Sequence, residues 1–78
     1  MSNPKSIQTL YRDLMEAHRQ GYLDVRVTRF WKHEQISILF SPLVHEGKRA
    51  HLKAHIQKHY NVQIWWDGKD ALVVQPLP

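Results

Sequence analysis

The sequence contains no cysteine. Neither a disulfide framework nor a cysteine-based zinc site can therefore staple the fold. Small secreted domains usually need such crosslinks, so we expect a reducing, cytoplasmic setting. No window approaches the roughly 20 apolar residues of a membrane span. The first residues, MSNPKSIQTLYRDLME, hold no apolar run of the signal-peptide kind. A soluble chain without membrane contact is expected. Glycine is scarce, with Gly21, Gly47 and Gly68 scattered, so no glycine-rich loop exists to cradle a phosphate. A nucleophile motif, an HExxH pattern and paired carboxylates at an interpretable spacing are also missing. With 78 residues, little room remains for a deep pocket. We expect no enzyme and no cofactor.

Acids are fewer than bases. Eleven Lys+Arg stand against seven Asp+Glu, a formal charge of +4. That excess leans toward an anionic partner such as nucleic acid or an acidic protein face. Eight aromatics and ample Val, Ile and Leu are enough for one small core, and we read residues 1–78 as a single domain.

Periodicity orders the chain. Residues 4–20 read as a helix, with Ser2 or Asn3 as cap and Pro4 in the first turn. Ile7, Leu10, Tyr11, Leu14, Ala17 and His18 form its apolar stripe, and Gly21 ends it. Residues 23–31, LDVRVTRFW, alternate as a strand, and ISILF at 36–40 is a second strand after the turn KHEQ. A second helix opens at Pro42 or a little later and runs to about Tyr60. NVQIWW at 61–66 and ALVVQ at 71–75 flank the turn DGKD, and the closing PLP should stop the sheet. The expected fold is α+β, in the order α-β-β-α-β-β. Two helices would pack on one face of a four-stranded antiparallel sheet. AHRQGYLDVRV at 17–27 resembles AHIQKHYNVQI at 54–64, which raises a possible α-β-β pseudo-repeat.

Two regions carry chemistry. The first is the helix HEGKRAHLKAHIQKHY, residues 45–60. Leu52, Ile56 and Tyr60 mark its core stripe, with His59 inside it and half-buried. His51 and His55 lie on one flank, and Arg49 and Lys53 on the other. His51 and His55 at i, i+4 would offer two nitrogens to a metal, but no spacing selects a third ligand, so no metal site is assigned. Lys48, Arg49, Lys53 and Lys58 put four positive charges on one helix, and His51 and His55 beside them can donate to phosphates.

The second region is the sheet face turned from the helices. If Val25, Val27, Ile36, Ile38, Val62 and Ile64 point at the helices, then Arg26, Thr28, Ser37, Leu39, Gln63 and Trp65 point away, joined by Phe30 and one of Leu72 or Val73. Arginine, hydroxyls and a large aromatic on an open sheet suit stacked single-stranded bases. No RNP-type motif accompanies them. Only one of the neighbours Trp65 and Trp66 can face the core.

These features favour a small basic module contacting nucleic acid. The 45–60 helix would hold phosphates, and Arg26 and Trp65 would meet bases or sugars. The alternative is a protein-interaction module: an inhibitor, an adaptor, a subunit of a larger complex or a homodimer. It would act through Trp31, Phe30, Leu39 and Trp65.

Overall fold

The computed structural model describes residues 5–78, apart from the side chain of Trp31. Helix α1 spans Ile7–Arg19, strand β1 Val25–Phe30, strand β2 Gln35–Phe40, helix α2 Glu46–His59, strand β3 Val62–Trp66 and strand β4 Ala71–Pro76. This is the expected element order. The four strands form one antiparallel sheet in the order β1-β2-β4-β3. Among the described residues no helix is long and apolar enough to cross a membrane.

Helix α1 starts later than the periodicity suggests. Ser6 is the cap, its Oγ accepting from the Thr9 N–H at 3.3 Å. Lys5 is held outside the helix. Its N–H donates to His59 O at 3.1 Å, and its carbonyl accepts from Asn61 N–H at 2.8 Å. The caps proposed at Ser2 and Asn3, and Pro4, lie outside the described residues. At the other end Gly21, at φ +83°, closes the helix. Tyr22 N–H reaches Ala17 O and Gly21 N–H reaches His18 O, the paired bonds of a Schellman turn.

Helix α2 begins at Glu46 rather than near Pro42. Val44 N–H bonds Ser41 O, which keeps the intervening residues in a turn. His45 then caps the helix, its Nδ1 accepting from Gly47 N–H at 3.1 Å.

Ladder phase explains why β4 continues through Pro76. Asn61 pairs with Leu77 and Asp67 with Ala71 through backbone bonds. Antiparallel pairs alternate between bonded and unbonded, so the odd residues of β3 and β4 bond each other. Pro76 sits opposite Val62 in an unbonded pair. On its other side β2 has already ended. Its missing N–H therefore costs no ladder bond.

One cluster forms the core. It joins Ile7, Leu10 and Leu14 of α1, Ile56 of α2, and the strand residues Val25, Ile36, Ile38, Phe40, Val62, Ile64, Leu72 and Val74. Strand side chains alternate between faces, and these eight share one phase. Tyr60, at the C-terminal end of α2, ties that helix to the middle of α1: its hydroxyl donates to Asp13 Oδ2 at 2.7 Å. Burial and that hydrogen bond raise its ionisation above the usual tyrosine range.

The buried arc of α2 differs from expectation. Ile56 is buried, but its buried partner is Arg49, only 7% exposed. Leu52 and Lys53 are half-buried, and His59 is exposed. The helix is rolled toward Arg49 because the guanidinium finds acceptors on all sides. Nε donates to Val44 O at 3.0 Å and Nη2 to Ser41 O at 3.1 Å. Nη1 donates to Lys69 O at 2.9 Å and to Asp70 Oδ1 at 2.6 Å. The guanidinium also lies 5.3 Å from the Phe40 ring centre. Arg49→Ala would take a donor from the carbonyls of Val44 and Lys69, while Ser41 O keeps its bond from Val44 N–H and the half-exposed Asp70 carboxylate turns to solvent, so we expect a loss of about 2–3 kcal/mol in urea unfolding. Arg49→Lys, lacking the planar fork, should recover little of it. A loss below about 1 kcal/mol for Arg49→Ala would refute the role assigned to this network.

Candidate nucleic-acid interface

The outer face of the sheet is built by register. Arg26 sits opposite Leu39, Thr28 opposite Ser37, and Phe30 opposite Gln35. Ser37 faces Val73, and Leu39 faces Ala71. On the far side Trp65 pairs with Val73 and Gln63 with Gln75. Three rows result. One runs Arg26, Leu39, Ala71. The next runs Thr28, Ser37, Val73, Trp65. The third runs Phe30, Gln35, Gln75, Gln63. None of these residues belongs to the core cluster.

The rows differ in chemistry. Gln75 Nε2 donates to Gln35 Oε1 at 2.9 Å, and Gln63 Nε2 donates to Pro76 O at 3.3 Å. The glutamines are thus held in a polar ladder with spare donors and acceptors. Phe30 and Leu39 are each 46% exposed and Trp65 is 40% exposed. Val73 is the outward member of the Leu72–Val73 pair and is covered by its neighbours. Strands about 4.8 Å apart put the Thr28 and Trp65 ends of the middle row roughly 14 Å apart. No strand contains an Asp or a Glu. The seven acids of the chain lie on the helices and in the turns.

The tryptophan pair is split as alternation requires. Trp66 lies opposite Leu72 in the core phase and 6.3 Å from the Phe40 ring. Trp65 takes the outer phase. Both stay about 40% exposed, because β3 is an edge strand.

Helix α2 presents a separate surface. Lys48, His51, His55 and Lys58 are exposed along one side at i, i+3, i+7 and i+10. None of them has an ion pair among the described residues. Lys53 is half-buried. Arg49 departs from the expected phosphate row, because its donors are spent inside the fold. The α2 row and the Arg26–Trp65 face are not brought together. Ile56 carries α2 into the core cluster, whereas Arg26 and Trp65 project from the strand phase outside it. Of the expected interface residues Phe30, Leu39 and Trp65 share one face, while the Trp31 side chain lies outside the described residues.

Two of the helix histidines pack on each other. The His55 and His59 rings lie 4.5 Å apart. Among the described residues no group of three or more His, Asp or Glu is placed to hold a metal ion. Partial burial lowers the His55 pKa below its ordinary 6.5, and the charges of His59, His51, Lys5 and Lys58 lower it further. The i, i+4 spacing of His55 and His59 on one helix accounts for this contact.

No protein-family model, curated protein or solved structure matches this chain.

The His55 shift has a definite sign. Below pH 6.5 the unfolded chain binds a proton at this position more readily than the folded chain does. Stability therefore falls as the solution is acidified through the window from 6.5 downward. The melting temperature should drop between about pH 7.5 and about pH 5.5, and His55→Gln should reduce that drop. An equal drop in the two proteins would refute the coupling.

Proposed function

We propose that this chain is a small module that binds single-stranded nucleic acid on the outer face of its sheet. In this reading both helices cover the opposite face and leave the outer rows open. The strand order puts the two hairpins in equivalent places, which supports an α-β-β pseudo-repeat behind that architecture.

The observation that carries the reading is an acid-free sheet face holding Trp65, Phe30 and Arg26 beside hydroxyls and amides. An unpaired base can lie flat on an exposed ring whatever its identity, and such stacking is worth about 1–3 kcal/mol per base. Arg26 supplies a guanidinium for a phosphate. Thr28, Ser37, Gln63 and Gln75 offer donors and acceptors to base edges and sugars. An unbroken duplex hides the faces of its bases, so a single strand suits this surface better. The α2 row of Lys48, His51, His55 and Lys58 is a second basic surface outside the contact.

Fluorescence anisotropy with a labelled oligonucleotide tests this. Affinity should fall with salt by about 0.7 log units per log unit of salt for each phosphate contacted. Trp65→Ala should weaken binding roughly fivefold to a hundredfold by removing one stacking platform. Arg26→Ala should lower the salt slope by about one contact. Lys48→Glu with Lys58→Glu should change affinity only modestly. Binding that survives Trp65→Ala but is abolished by the lysine pair would move the site to α2. A face that binds no oligonucleotide at low salt would instead fit a protein partner on Phe30, Leu39 and Trp65.

A further inference from the structure

The ladder phase that tolerates Pro76 also leaves, among the described residues, a definite set of backbone groups open. Odd residues of β3 bond β4, so the N–H and C=O groups of Val62, Ile64 and Trp66 point the other way. β3 is the last strand of the sheet, and among the described residues no strand pairs with that side. Edge strands are usually blunted by charge, proline or a bulge. The other edge, β1, carries Arg26 and Arg29, whereas β3 reads Val-Gln-Ile-Trp-Trp and carries none of these devices. Its two indoles lie on opposite faces, and each is about 40% exposed. A molecule seated on one face of the sheet would cover one of them. A strand added alongside β3 would cover both.

We propose that the free edge of β3 pairs, antiparallel and across a two-fold axis, with β3 of a second copy of this chain. Place Ile64 opposite the partner's Ile64. Val62 then meets the partner's Trp66, and every free N–H and C=O of the strand finds a bonded partner. Gln63 meets the partner's Trp65 on the outer face. Charge selects both the occupant and its direction. Asp67 follows β3 directly and has no ion pair among the described residues, while the equally unpaired Lys58 precedes the strand in the last turn of α2, and Lys5, held beside Asn61 by its backbone, shares its charge with Asp13. Antiparallel pairing brings each Asp67 to the basic end of the other copy. Parallel pairing would set Asp67 against Asp67 and Lys58 against Lys58. The resulting two-fold is isologous and joins two outer faces into one continuous sheet.

Amide hydrogen exchange by NMR, without nucleic acid, tests this apart from the function proposed above. Spectra are taken at two protein concentrations roughly a hundredfold apart, with light scattering on the same samples. The informative amides are those of Val62, Ile64 and Trp66, read against the internal reference of Gln63 and Trp65. The expected result is protection of Gln63 and Trp65 throughout. Val62, Ile64 and Trp66 should become protected only at high concentration, as the mass rises to twice 9.3 kDa. The double variant Gln63→Lys with Trp65→Lys sets like charges directly opposite each other across the axis. It should keep the monomer fold and lose the concentration-dependent protection. A single-chain mass with unprotected Val62, Ile64 and Trp66 at high concentration would overturn the proposal. So would a doubled mass in which those three amides still exchange freely.

Discussion

A buried guanidinium holds this fold in register. Arg49 reaches from α2 to Ser41 and Val44 before the helix, and to Lys69 and Asp70 in the β3–β4 turn. Segments far apart in sequence therefore share one donor group. Burying a charge is costly unless its hydrogen bonds are made, and among the described residues no buried side-chain polar atom lacks a partner. The network fixes the roll of α2 about its own axis. That roll decides which basic residues remain in solvent. Lys48, His51, His55 and Lys58 stay outside, and Arg49 does not. At the other end of α2, Tyr60 and Asp13 fasten the helix to α1.

Strand alternation then sorts the rest of the chemistry. The core phase takes most of the aliphatic side chains together with Phe40 and Trp66, leaving Leu39, Ala71 and Val73 to the outer rows. The outer phase takes Arg26, the hydroxyls, the glutamine ladder, Phe30 and Trp65. Arg26 is the one base in these outer rows, and Lys48 and Lys58 belong to the separate surface of α2. Acids at turns and on helices flank the sheet without entering it. The edge positions of β1 and β3 explain why Phe30 and Trp65 remain accessible, since among the described residues each strand is paired on one side only.

Much of this is legible in the sequence, for identifiable reasons. A period of two is enforced along the whole of each strand, so the assignment of Val25, Val27, Ile36 and Ile38 to one face and Arg26 and Thr28 to the other follows directly. The split of Trp65 and Trp66 is legible for the same reason. Helix α2 is harder. Its apolar residues are few, and a stripe drawn through Leu52, Ile56 and Tyr60 puts His59 inside and Arg49 on the flank. An arginine can enter a core only where carbonyls converge on it, and those carbonyls come from residues 41, 44 and 69. No local pattern announces such a convergence. The start of α1 shifts for a related reason: Lys5 is held by residues 59 and 61, a contact with no local signature. Proline's missing donor argues for a stop before Pro76, and its place in the ladder shows that the donor is not needed there.

The central claim is that ligand meets the outer sheet face and not the basic side of α2. Chemical-shift mapping of a titration with a short single-stranded oligonucleotide tests it most directly. The account predicts shifts concentrated on Arg26, Thr28, Phe30, Ser37, Trp65 and Val73, with Lys48, His51, His55 and Lys58 unmoved. Shifts confined to the α2 residues, or none at low salt, would contradict it.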